Sequence, residues 1–184
     1  MGSPGPATIS LAGIGTGFGF RKGVPYLLGI ILGTVGVLIL IATGVSALVL
    51  AIPAFITGLT VLATLYILYL AWKIATAPVL ASNKATSTAP SLMSGFFLAI
   101  ANPKAFAAIG AVYTSHTLIN GDIFADSLIK ILALAVVIVI VNSAWLLLGS
   151  SFSRVLSNEK QGRIANIVFG IMLLVSVALA LVTL

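Results

Sequence analysis

The sequence predicts an all-α, polytopic membrane helix bundle made of two inverted three-span halves, with the first and fourth helices broken. Three observations carry this expectation. Of 184 residues, 60% are hydrophobic and 7% charged, with a mean hydropathy of +1.26, where a soluble domain carries about 25% charged residues. The nine Lys/Arg and three Asp/Glu punctuate long uncharged runs instead of covering a surface. Prolines interrupt corresponding places of the two halves, at Pro6 and Pro103. The chain reads as one transmembrane domain, residues 1–184, with half-repeats of about 1–75 and 92–184 joined by a linker at 76–91.

A water-soluble globule is excluded, since so few charges could not solvate its surface. The net charge of +6 is dispersed between apolar runs, so it signals topology and not a nucleic-acid partner. With no cysteine, disulfides, thiolate metal sites and cysteine nucleophiles are excluded. The opening MGSPGP has no basic region followed by an apolar one, so no cleaved signal peptide is expected.

The spans follow in order. Residues 7–20 are apolar but short of the about 20 residues a bilayer requires, so they read as the surviving half of a first helix, broken at Pro4 and Pro6. The uncharged run from Lys22 to Lys73 holds two spans, 24–43 and 55–74, separated at Pro53, because proline ends or kinks a helix. The polar stretch TAPVLASNKATSTAPS divides the halves. Residues 92–116 form the fourth span, interrupted by Asn102, Pro103 and Lys104. The acidic loop NGDIFAD, a span at 131–152, a basic loop from Arg154 to Arg163 and a last span at 164–184 complete the chain.

Loops one, three and five hold Arg21, Lys22, Lys73, Lys84, Arg154, Lys160 and Arg163, while the opposite loops hold only Lys130 with Asp122 and Asp126. This asymmetry puts the odd-numbered loops in the cytoplasm. Tyr66, Tyr69 and Trp72 beside Lys73 read as an interfacial aromatic belt.

Enzyme chemistry is not expected. GIGTGFG at 13–19 has no G-x-G-x-x-G register and follows no strand. Its pairs Gly13/Gly17 and Gly15/Gly19, with Gly29/Gly33, read as close helix packing, a homo-oligomer seam being the alternative. The single histidine, His116, sits at a span end without ligand partners, and no acid lies in any span. No metal site or cofactor is expected.

Lys104 stands apart. It lies about 18 Å from either end of a regular span, too far to snorkel. A charge there costs about 2.5–3.5 kcal/mol and usually faces a cavity or a partner. The ordinary alternative is a tether, with the ammonium donating to carbonyls freed by Pro103. Asn142, in the middle of the fifth span, either lines the same cavity or bonds between helices. Three spans per half make the halves run in opposite directions, and paired Pro/Gly interruptions in such halves point to a midplane transport site. The candidate substrate-binding or gating residues are therefore Pro4, Gly5, Pro6, Asn102, Pro103, Lys104 and Asn142.

PGPA near the start, RKG at 21–23, LATLYILYLAWK at 62–73, SGFFLAIANPKAF at 94–106 and RIANIVFGIMLL at 163–174 resemble the LysE/RhtB family of bacterial amino-acid exporters. The resemblance implies a six-span inner-membrane secondary transporter that expels amino acids or related metabolites, driven by the proton or membrane potential. Its partners would be a small-molecule substrate and the lipid bilayer. The family usually has about a dozen apolar residues ahead of PGP, so the first helix is expected to be shortened. Ala7 stands where Asn or Asp is common, and Thr34 where an acidic or otherwise polar residue follows glycine. The alternative from another class is a non-transporting membrane protein, a degenerate paralogue or a partner subunit.

Overall fold

Glycine and proline set the helix boundaries. The computed structural model describes residues 2–44, 52–77, 89–155 and 159–182, and among these residues it contains six helices and no strand. The linker's Lys84 lies outside them, as do residues 78–88 generally.

Helix α1 runs Pro6–Ala42, 37 residues with one non-helical residue, Gly19, at φ 79. Positive φ is open to glycine at little cost, and here it reverses the chain. Ser10 and Tyr26 would stand about 24 Å apart in a straight helix, yet their hydroxyls meet at 3.0 Å. So α1 is a helical hairpin, its arms 6–18 and 20–42 corresponding to the expected first segment and second span. Pro53 opens α2, Pro53–Ala75, at its first turn, where a missing N–H is harmless.

The fourth expected span is two helices, α3 (Leu92–Ile100) and α4 (Pro103–Ser115), bent by 62°. The carbonyl that Pro103 would have left free at the break is taken. Asn102 N donates to Ala99 O at 3.3 Å, and Ala105 N to Asn102 O at 3.0 Å.

Helix α5, Ile123–Val155, begins well before the expected 131. Its start lies inside the stretch read as an acidic loop, because the acids there organise a helix end. Asp122 Oδ1 accepts from Ala125 N at 3.0 Å. Asp126 Oδ1 accepts from Leu118 N at 2.6 Å and Ile119 N at 2.9 Å, and its other oxygen pairs with Lys130 at 2.8 Å. Helix α6, Glu159–Val182, likewise starts ahead of 164.

The first arm of α1 is the most enclosed element. Leu11 and Ile14 have no exposure, and Ile9, Ala12 and Phe18 are buried. Its polar Thr8, Ser10 and Thr16 are buried as well, so this segment is the centre of the bundle. Thr16 Oγ1 donates to Gly149 O on α5 at 3.0 Å, and a Cβ on Gly13 would press on Ile74 and Phe169. The second arm lies on α3 through Gly29 and Gly33, and a second cluster joins Val37 and Leu38 to Ile109, Leu134 and Ile138. Gly170 of α6 sits against Ala71 and Ala75 of α2. Gly13, Gly15, Gly17, Gly29 and Gly33 therefore pack helices within the chain, while Gly19 of the expected Gly15/Gly19 pair is the reversal itself.

Among the described residues, three helices are long and apolar enough to cross a membrane, Pro6–Ala42 (the hairpin α1 taken as a whole), Ile123–Phe152 and Lys160–Leu179. The α3–α4 pair makes a fourth, broken one, and Thr60–Ala75 is a shorter apolar helix. Leu62, Leu132, Ile140 and Leu179 are among the large apolar side chains left facing outward, as a lipid-facing surface requires. Tyr69 and Trp72 are exposed beside Lys73, whose ammonium is 5.8 Å from the Tyr69 ring; Tyr66 is partly buried against the core.

Asn166 Nδ2 donates to Ala77 O at 3.1 Å, bringing the end of α2 to the start of α6. The Gly19 reversal and the end of α5 join them through the Thr16–Gly149 contact. Arg21, Lys22, Lys73 and Arg163 therefore sit at one end of the bundle, and Asp122, Asp126 and Lys130 at the other.

Candidate functional site

Lys104 is the second residue of α4, after Pro103 at the helix start. Its side chain crosses to the N-terminal segment, where the ammonium donates to Ser3 O at 3.4 Å and to Pro4 O. Gly5 is what allows this approach. A Cβ there would stand 2.8 Å from Lys104 Cδ and 3.0 Å from Nζ. The tether expected from the sequence exists, but its acceptors differ. They are the carbonyls of Ser3 and Pro4, because the one Pro103 would have left free, Ala99 O, is taken by Asn102 N. An ammonium has three donors, so one remains after these two bonds.

A cavity of about 60 Å³ opens beside this contact, lined by Gly5, Thr8, Thr34, Asn102, Lys104 and Asn142 among others. Asn142 lies about 28 Å along α5 from its start and about 20 Å from its end, which sets the cavity well inside the bundle. On the other side of the N-terminal segment is a groove of about 650 Å³, where Pro4, Pro6 and Pro103 meet Met172, Val175 and Ser176 of α6. Gly5 and Lys104 border both spaces. All seven sequence candidates thus gather around one lysine, with Gly5, Asn102, Lys104 and Asn142 on the polar cavity and the three prolines on the groove.

The polar atoms of the cavity combine one ammonium with neutral oxygens. Asn102 is buried at 6% exposure, and its Oδ1 finds no donor among the described residues. Asn142 Nδ2 donates to Ile138 O at 2.8 Å, and Thr34 Oγ1 to Ile30 O at 2.7 Å. Thr8 Oγ1 donates to Gly5 O at 3.1 Å while accepting from Gly5 N at 2.9 Å. Among the described residues, Lys104 is the one cation lining either space, and no Asp or Glu lines them. The site can hold an anion on the ammonium and a hydrogen-bond donor on the oxygens.

Sequence reasoning missed Thr8 and Thr34 as lining residues. Thr8 carried a signal, three positions after the helix-opening Gly5, where a hydroxyl can bond back to the cap. Thr34 is a polar residue in an apolar run. His116 is exposed, bonded to Ser115 Oγ at 2.6 Å, and remote from the cavity lining.

Residues 1–184 match the LysE type translocator family. The chain belongs to that family. The cysteine/O-acetylserine efflux proteins of Salmonella paratyphi A (strain ATCC 9150 / SARB42) and Salmonella typhi are each 30% identical to it over 175 residues, 93% of this chain and 86% of theirs. That of Salmonella choleraesuis (strain SC-B67) is 40% identical over 81 residues, 44% of this chain and 42% of that protein. No solved structure matches the chain. This LysE type translocator is a multi-pass membrane transporter and not an enzyme, and its class of activity is amino-acid export.

Proposed function

We propose that this translocator exports small neutral amino acids from the bacterial cytoplasm across the inner membrane, with Lys104 receiving the substrate carboxylate. The observation that carries the reading is a lone ammonium beside an unpartnered carbonyl in one small cavity without an acid. A zwitterion complements that pair. A cationic side chain such as that of lysine would find no counter-charge there and would be desolvated beside Lys104. About 60 Å³ is room for a handful of waters at about 10–15 Å³ each, which favours a compact solute. The names of the relatives, cysteine and O-acetylserine efflux proteins, fit the same size and charge class.

Purified protein in liposomes loaded with labelled solute tests this. Cysteine and O-acetylserine should leave at least about tenfold faster than lysine, since a charge without a partner in such a site is costly by more than about 1.4 kcal/mol. Equal rates for lysine and cysteine, or rates no higher than from protein-free liposomes, would overturn the assignment.

Two inverted halves of three spans are part of this reading. They are supported by Pro6 and Pro103, which each open a helix behind Gly5 and Asn102 and converge on Lys104. The gathering of Arg21, Lys22, Lys73 and Arg163 at one end supports a cytoplasmic position for the odd-numbered loops. Reporter fusions after Lys84 and Glu159 should then report cytoplasm, and one at Asp122 the outside. An outside signal at Lys84 would contradict this topology.

A further inference from the structure

We infer that Asn102 Oδ1, assisted by the Thr34 hydroxyl oxygen, binds the substrate's α-ammonium and restricts export to solutes with a free amino group; this rests on the exporter reading above. Asparagine at a helix N-cap ordinarily turns its side-chain oxygen onto a backbone N–H of the first turn. Ser91 does so at the start of α3, accepting from Ser94 N at 3.4 Å. Asn102 holds the same position on α4, yet its side chain makes no capping bond. It is 94% buried by its 6% exposure, and its carbonyl oxygen has no donor among the described residues. A buried carbonyl left without a donor is unfavourable and calls for an occupant.

The occupant's chemistry follows from the neighbours. Asn102 borders the polar cavity together with Thr34. The Thr34 hydroxyl commits its hydrogen to Ile30 O at 2.7 Å, so only its lone pairs remain for a ligand. A ligand group with several hydrogens on one atom suits this acceptor pair, and an ammonium has three. Neutral acceptors also explain how one cavity serves both ends of a zwitterion. A carboxylate at position 102 would pair with Lys104 and cancel the cation that the substrate carboxylate needs, whereas an amide oxygen accepts from an ammonium and leaves Lys104 charged.

The test compares O-acetylserine with its N-acetylated derivative and with 3-acetoxypropionate, which lacks the amino group, in liposomes holding a known amount of inserted protein. The wild type should carry O-acetylserine at least about tenfold faster than either analogue, in keeping with a hydrogen bond to a charged group. Asn102→Leu, similar in size and without the oxygen, should lower O-acetylserine transport about ten- to hundredfold and 3-acetoxypropionate transport by a much smaller factor, so that the preference collapses. Thr34→Val should narrow the preference by a smaller factor, and it decides the matter if Asn102→Leu does not insert. Equal transport of O-acetylserine and its N-acetylated derivative by the wild type would overturn the inference, as would an unchanged preference in the variant. No movement of any amino acid by the wild type would instead sink the exporter reading, and this inference with it.

Discussion

Valine in place of Gly29 is expected to remove the folded protein from the membrane, while the same change at Gly36, in the same arm of α1, leaves its amount nearly unaltered. Gly29 touches the backbone of α3. A Cβ there would overlap Leu92 O, and Phe96 N lies 2.8 Å from the same point. Backbone atoms cannot step aside as the end of a flexible side chain can, so the whole α1–α3 seam would have to open. Overpacking typically costs about 1–3 kcal/mol, and a clash with a helix backbone falls at or above the top of that range. A Cβ on Gly36 would meet nothing within 4 Å, and valine is a slightly better helix former than glycine, so the change there carries no packing or propensity cost. Detergent-extracted yield and thermal stability of the two variants decide the point; equal behaviour would contradict the packing described.

Loss of the Lys104 ammonium is expected to have the largest effect on activity. Lys104→Ala should lower export at least about a hundredfold per inserted molecule, since removing one partner of a desolvated charged contact costs about 2–5 kcal/mol. The stem lies over Gly5 and the ammonium meets Ser3 O and Pro4 O, a narrow setting that suits a compact point charge. Lys104→Arg should therefore also weaken export, because a planar guanidinium cannot occupy it in the same way. Flux from reconstituted liposomes, divided by inserted protein, measures both variants.

Much of this architecture was legible because a membrane limits where charge and proline can stand. The empty run from Lys22 to Lys73, Pro53 as the start of α2 and the Asn102–Pro103 break all follow from that limit. Lys104 was conspicuous for the same reason, being too deep to reach an interface. What escaped depends on contacts between distant parts of the chain. The segment 7–20 looked like a remnant by length, yet its burial is decided by α2, α5 and α6 closing around it. Asp122 and Asp126 read as loop residues, although their caps and the pair with Lys130 begin α5 early. The acceptors of Lys104 lie about a hundred residues away, at Ser3 and Pro4, and no local pattern announces them. Thr34 is a single hydroxyl whose place in the cavity follows from the hairpin at Gly19.

The tether and the substrate role of Lys104 make opposite demands on one variant, Lys104→Gln. Glutamine keeps N–H donors for the carbonyls of Ser3 and Pro4 but carries no charge. The decisive measurement is O-acetylserine efflux from liposomes by Lys104→Gln, expressed per inserted molecule and set against the wild type. Carboxylate binding by the ammonium predicts a loss of at least about thirtyfold, roughly 2 kcal/mol, with normal insertion; near-normal efflux would contradict it and leave Lys104 a structural tether.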